Sequence, residues 1–330
     1  MTQFDSEYPD KDMDRITLRT KPQEGYELID SGGEEKLERF GEVVLARPDP
    51  QALWPKAKEG EWAKAQGTYV RDGGEGKWTG NIPQEWPVEL GGLTMLIKPT
   101  SFKHTGVFPE HMPGWEWVGK LVAEGKEGQR GLRSATARGL SDFSAEKSST
   151  PSDLLSQQHK VSVLNLFGYT GGYTLAAAKA GAEVTHVDAS KTAVAWAREN
   201  AKLSGLEEAP VRWIVEDVLV YLRRELKRGS KYDAIIMDPP AFGHGPHDEL
   251  WKFEEHFLEL MSLCEQLLSE QPLFVLVNGY AAGYSPLAFA YNLEGISKKF
   301  GGAIEYGDLT IEEKGTERLL PAGIFARWHN

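Results

Sequence analysis

One cysteine, Cys264, is the only thiol in 330 residues. A disulfide framework and a cysteine-built zinc site are excluded, because each needs several. Long apolar runs are missing as well. No stretch approaches the ~18 consecutive apolar residues of a membrane span. The opening Met1-Thr2-Gln3-Phe4-Asp5-Ser6-Glu7 is acidic and has no apolar core, so neither a secretory leader nor an arginine-rich transit peptide is expected. Basic residues are in deficit, 37 against 49 acidic ones, for a net charge of −12. Broad non-specific binding to duplex DNA needs clustered cations and does not suit that balance. A local basic groove reading one structured RNA remains compatible with it. The expectation is a soluble, cytoplasmic chain with no membrane partner.

The length suggests two domains. Residues 1–110 read as a β-rich domain. Short apolar runs such as Val43-Val44-Leu45-Ala46 and Leu93-Thr94-Met95-Leu96-Ile97 are punctuated by the pairs Gly32-Gly33, Gly73-Gly74 and Gly91-Gly92. Glycine tolerates the positive φ that tight hairpin turns need. Six of the ten tryptophans fall at or before Trp117. They read first as plugs of a small β core, and second as stacking platforms for unpaired bases. A short helix with proline at its start is predicted over 113–124. Residues 127–158, serine-rich and poor in bulky apolar side chains, read as a flexible polar insertion. Arg130, Arg133 and Arg138 at its head read as a solvated loop.

From residue 160 buried strands alternate with helices. Val161–Phe167, Val184–Val187, Val211–Val215, Ala234–Met237, Leu273–Val277 and Gly323–Trp328 are strands, with helices over Tyr173–Ala180 and Lys191–Leu203. That alternation predicts an α/β class, a Rossmann-like doubly wound sheet, over 111–330. Ligands of such sheets bind at the carboxyl ends of the strands. The first strand runs into Gly168-Tyr169-Thr170-Gly171-Gly172, where glycines let a ligand approach the backbone. The Gly-x-x-Gly-Gly spacing departs from the dinucleotide Gly-x-Gly-x-x-Gly. The second strand ends at Asp188 and the third at Asp217, acids suited to the ribose hydroxyls and the amino group of an adenosine. Either acid alone fits a helix N-cap as well. In order on three strand ends, they point to a nucleoside ligand. The fourth strand ends Asp238-Pro239-Pro240-Ala241-Phe242, an acid and an aromatic held by a rigid turn.

These residues resemble the class I S-adenosylmethionine-dependent methyltransferases, and among them the bacterial 23S ribosomal RNA enzymes that modify cytosine C5 or guanine N7. The resemblance rests on Leu164 through Gly172, Asp188, Trp196-Ala197-Arg198-Glu199-Asn200 and Asp238 through Phe242. Upstream, Thr105-Gly106-Val107-Phe108-Pro109-Glu110-His111 is similar to the segment that closes over the family's cofactor. Met112 stands where that segment usually has Arg, and Ala241 where Lys often follows the prolines. The resemblance implies S-adenosyl-L-methionine as cofactor. Phe108, His111, Asn165, Phe167, Tyr169, Thr170 and the three glycines would surround its methionine end. Asp188, with Ala189 and Ser190 after it, and Asn200 and Asp217 would hold the adenosine. Asp238, Pro239, Pro240 and Phe242 would present a base of RNA, in the first place ribosomal RNA, to the methyl group.

No metal is expected. His244, His247 and Asp248 read as a polar loop over the site, and His186 as a satisfied core residue. Cys264 lies on a helical stripe with Phe253, Phe257, Leu260, Met261, Leu267 and Leu268, and reads as core. Cytosine C5 methylation needs a cysteine adduct, which the family carries just after the fifth strand. Leu276-Val277-Asn278-Gly279-Tyr280 has no thiol there, so transfer to a nitrogen is expected. A small-molecule methyltransferase, favoured by a tight apolar pocket without a basic groove, is the competing reading. A non-catalytic RNA-binding protein that retains the pocket is the other.

Overall fold

A computed structural model describes residues 13–72, 75–139, 160–247, 249–280 and 283–330. The amino-terminal strands are β1 (Met13–Thr20), β2 (Tyr26–Gly32), β3 (Glu35–Phe40), β4 (Val43–Pro48), β5 (Gly67–Asp72), β6 (Glu75–Gly80), β7 (Trp86–Leu90) and β8 (Leu93–Ile97). A single turn, α1 (Glu59–Trp62), and the long helix α2 (Met112–Gly139) also belong to this half. Then come β9 (Ser162–Leu166), α3 (Gly172–Lys179), β10 (Glu183–Asp188), α4 (Lys191–Leu203), β11 (Val211–Val215), α5 (Val218–Arg228) and β12 (Ala234–Met237). The chain finishes with β13 (Phe242–His244), β14 (Leu250–Lys252), α6 (Phe253–Leu267), β15 (Phe274–Gly279), α7 (Pro286–Tyr291), α8 (Glu294–Phe300), β16 (Ala303–Glu312) and β17 (Leu319–His329).

Eight strands form the central sheet in the order β1-β16-β17-β15-β12-β9-β10-β11. From β15 to β11 all pairings are parallel, while β17 runs antiparallel to both β15 and β16. Residues of β12 and β15 are buried throughout, as strands covered by helices on both faces must be. Side chains alternate between faces, so Ile236 and Leu276 enter one core while Ile235, Met237, Val275 and Val277 enter the other. Strand order reverses between β9 and β12, which opens a crevice at their carboxyl ends. That crevice receives both the glycine motif and Asp238.

The first core continues without a break into the β2-β3-β4-β5-β6 sheet through Tyr26, Leu28, Phe40 and Leu45. Two parts of the expected β-rich segment are bonded to the large unit itself. Strand β1 pairs in parallel with β16 over eight positions. Strand β8 is fixed to α4: Leu96 N–H donates to Asn200 Oδ1 (2.8 Å), and Trp196 Nε1 donates to the Leu96 carbonyl (3.0 Å). Both attachments join residues 100 or more positions apart, beyond what local pattern encodes.

The glycine pairs at 32–33 and 91–92 do turn hairpins, all four at positive φ, whereas Gly73-Gly74 lies outside the described residues. Four of the early tryptophans serve the fold. Trp54, Trp78 and Trp86 donate to the carbonyls of Ser31, Thr100 and Phe40, and Trp62 to Asp30. Helix α2 runs on through 127–139, the head of the expected loop insertion. Residues 140–158 of that insertion lie outside the described residues.

Candidate functional site

Beyond Leu166 the backbone turns sharply, with Phe167 at φ 54° and Tyr169 at φ 46°. A left-handed residue with a side chain costs about 1–2 kcal/mol, so two of them imply strong restraint from their surroundings. The restraints are visible. Tyr169 N–H donates to Asp188 Oδ2 (2.8 Å), Gly168 N–H to the Val187 carbonyl (3.1 Å), and Gly171 N–H to the Gly168 carbonyl (2.9 Å). Phe167 packs on Trp251 at 4.8 Å between ring centroids. Asn200 Nδ2 donates to the Thr170 carbonyl (2.9 Å), and Thr170 Oγ1 to the Gly106 carbonyl.

Glycine is required at 168 because a Cβ there would stand 2.5 Å from the His186 ring. That imidazole is fully buried, and burial alone pushes it down to about 3, so it is neutral. Its Nδ1 meets Thr174 Oγ1 (2.9 Å), which also accepts from Asn165 Nδ2 (2.8 Å). Its Nε2 has no partner among the described residues, so the reading of His186 as a satisfied core residue is corrected.

Asp238 emerges from β12 into the same space, where His111 Nε2 lies 3.8 Å from its Oδ2. Desolvation holds the Asp238 carboxyl above the usual carboxylate range, with His111 opposing. Phe108, Tyr169, His111 and Tyr173 form an aromatic wall, with neighbouring centroids 5.4–5.7 Å apart. Burial pushes the Tyr169 phenol up to about 12, with Asp188 adding to the rise, and raises Tyr173 further. Tyr173 Oη accepts from Asn278 Nδ2 (3.0 Å). Counted to its mouth, the cleft measures about 380 Å³.

Of the predicted residues, Phe108, His111, Asn165, Phe167, Gly168, Tyr169, Thr170, Gly171, Gly172 and Asp238 line this cleft together. The others stand apart. Asp188 spends one oxygen on Tyr169 N–H and the other on Ser190 N–H (2.8 Å), bracing the loop at the cleft's edge. Ser190 and Asp217 are N-caps, their side chains accepting from Ala193 N–H and Val220 N–H. Asn200 is sealed in the interior with both ends of its amide engaged, so it acts through the loop. Ala189 does not line the cleft. Pro239 and Pro240 shape the turn after Asp238, and the Pro240 carbonyl accepts from Trp251 Nε1 (2.6 Å). Phe242 is 56% exposed on β13, edge-on to His244. Asp248 lies outside the described residues, among which no three potential metal ligands converge.

Met95, Val107, Trp115 and Tyr173 also line the cleft and were not among the expected residues. Tyr173 follows the glycine motif directly and was within reach of a sequence argument. Trp115 comes from α2, with no spacing signal linking it to Gly172. Trp115 also borders a second, wider groove of about 1580 Å³ between the end of β1, the β7–β8 turn, α2 and α3. Arg19, Lys21 and Lys179 line that groove, with Glu116 the one acid among its lining residues.

Residues 153–304 match the S-adenosylmethionine-dependent methyltransferase family. A crystal structure of such an enzyme from Agrobacterium tumefaciens is 35% identical to this chain, with a TM-score of 0.81 over 96% of this chain and 95% of that one. Ribosomal RNA large subunit methyltransferase I from Aeromonas salmonicida is 48% identical over 81 residues, 24% of this chain and 20% of that protein. Ribosomal RNA large subunit methyltransferase K/L from Syntrophotalea carbinolica is 28% identical over 199 residues, 60% of this chain and 22% of that protein. The chain thus spans about a fifth of the length of these curated relatives.

Proposed function

Because the chain belongs to the S-adenosylmethionine-dependent methyltransferases, we propose that it methylates a base of ribosomal RNA, at a nitrogen rather than at cytosine C5. When bound, the cofactor supplies an electrophilic methyl carbon on a sulfonium. The chain's own residues fit it: glycine at 172 keeps a side chain off the Trp115 face of the cleft, and Asp188 and Asp217 stand on adjacent strand ends. Displacement at such a carbon needs alignment and exclusion of water more than covalent help. The aromatic wall of Phe108, Tyr169, His111 and Tyr173 supplies the exclusion. Asp238 accepts a hydrogen bond from the incoming amino or ring N–H and takes up its developing positive charge. Its raised proton affinity suits it to receive that proton.

The observation that carries nitrogen over carbon is the cleft's nucleophile inventory. It contains a carboxylate and no cysteine. Cys264 is buried in the core on α6, where burial pushes its thiol well up and leaves no thiolate. The basic groove beside Trp115 favours RNA over a small metabolite. Mass mapping of modified nucleosides in ribosomal RNA from cells lacking this chain should show one missing N-methylated base. RNA containing 5-fluorocytidine should form no adduct; a covalent adduct lost in Cys264→Ser would restore cytosine C5.

A further inference from the structure

Four tryptophans are buried: Trp115, Trp196, Trp251 and Trp328. Three donate their indole N–H to a carbonyl of this chain, those of Leu96, Pro240 and Gly301. Trp115, 5% exposed, donates to nothing among the described residues: its Nε1 is shielded from solvent and has no partner there. A buried donor left unmade carries a real cost, and such a group calls for a reason.

Its surroundings supply one. Trp115 sits on the first turn of α2 and faces the cleft at Gly171 and Gly172. A Cβ on Gly172 would stand 2.9 Å from Nε1 and 2.3 Å from the indole ring, so the donor lies directly against the start of α3. That helix is eight residues long, and its first-turn N–H groups have no partners within the helix. Its N-cap, Gly171, has no side chain to satisfy them. The helix start also carries the positive end of the backbone dipole. Indole N–H and helix start therefore lie side by side, and both are donors. Among the described residues no lysine or arginine lines the cleft. Neutral donors without a cation suit a singly charged, planar anion better than a phosphate.

We propose that Trp115 is a binding residue for the carboxylate at the amino-acid end of the cofactor, its Nε1–H donating beside the amino terminus of α3. The proposal rests on the cofactor reading above. It makes α2, which precedes the family-matched region, a direct part of the site.

The test is calorimetric binding to the full chain. Trp115→Phe keeps an aromatic ring and removes the donor. Its affinity for S-adenosylhomocysteine should fall at least tenfold. Its affinity for 5′-deoxy-5′-methylthioadenosine, which lacks the amino-acid end, should stay within a factor of two. Thermal unfolding without ligand checks that the variant still folds, the smaller ring giving up some packing in the core. The unaltered protein offers a second measurement: decarboxylated S-adenosylmethionine should bind at least tenfold more weakly than S-adenosylmethionine. Undiminished binding of S-adenosylhomocysteine by Trp115→Phe, equal losses for both ligands, or undiminished binding of the decarboxylated compound would each overturn the assignment. If the unaltered protein bound neither adenosine ligand, the cofactor reading itself would fall, and this inference with it.

Discussion

Replacing Asp188 by alanine tests two roles of one side chain at once. Its carboxylate accepts backbone N–H groups from Tyr169 and Ser190, each at 2.8 Å. Hydrogen bonds to a charged group are each worth about 1.5–3 kcal/mol, and the desolvation that raises this carboxyl's proton affinity argues for the low end. A loss of roughly 3 kcal/mol is therefore expected. Unfolding entropy of about 2.1 cal/mol/K per residue, taken over 330 residues, converts that into a Tm lower by about 4 °C. Tyr169, held at φ 46° by one of these bonds, would relax and reshape the cradle. Affinity for S-adenosylhomocysteine should drop at least tenfold, about 1.4 kcal/mol, from lost ribose contacts as well as the loosened loop. Asp188→Asn, which keeps one acceptor oxygen, should fall between. Thermal unfolding without ligand and calorimetry with it separate the two roles. A lower Tm with unchanged affinity would leave Asp188 a brace and remove it from the ligand; no change in either would refute the whole reasoning.

Asp238→Asn should cut methyl transfer by about 10²-fold or more, the usual share of a positioned acid–base group, while affinity for S-adenosylhomocysteine stays within threefold; a parallel fall in affinity would place Asp238 on the cofactor instead. Gly172→Ala sets a Cβ 2.3 Å from the Trp115 ring, an overpacking expected to cost about 1–3 kcal/mol and to weaken cofactor binding, as chemical unfolding and calorimetry would report. His186, pushed down to about 3 in the fold against about 6.5 unfolded, contributes stability that is present above pH 6.5 and is lost as pH falls toward 3. Across that window the loss reaches up to roughly 5 kcal/mol, and His186→Gln should flatten it in a pH series of urea unfolding curves.

The α/β order, the glycine turn and the acid at each strand end were legible in the sequence because each is a local or periodic signal. Buried parallel strands must be apolar on both faces, and a turn that takes φ 90° at Gly171 calls for glycine there. Contiguous motifs such as Gly168–Gly172 and Asp238–Phe242 carry their geometry within a few residues. The choice between cap and ligand did not follow from residue type, because a carboxylate after a strand serves either. Only the fold shows Asp217 capping α5, Asp188 bracing Tyr169 and Asn200 working through the Thr170 carbonyl. Tertiary structure alone decided the pairing of β1 with β16, the fastening of β8 to α4 and the placement of Trp115 against Gly172. These contacts join segments far apart in the chain, and packing of whole surfaces, not any spacing within a segment, selects which of them meet.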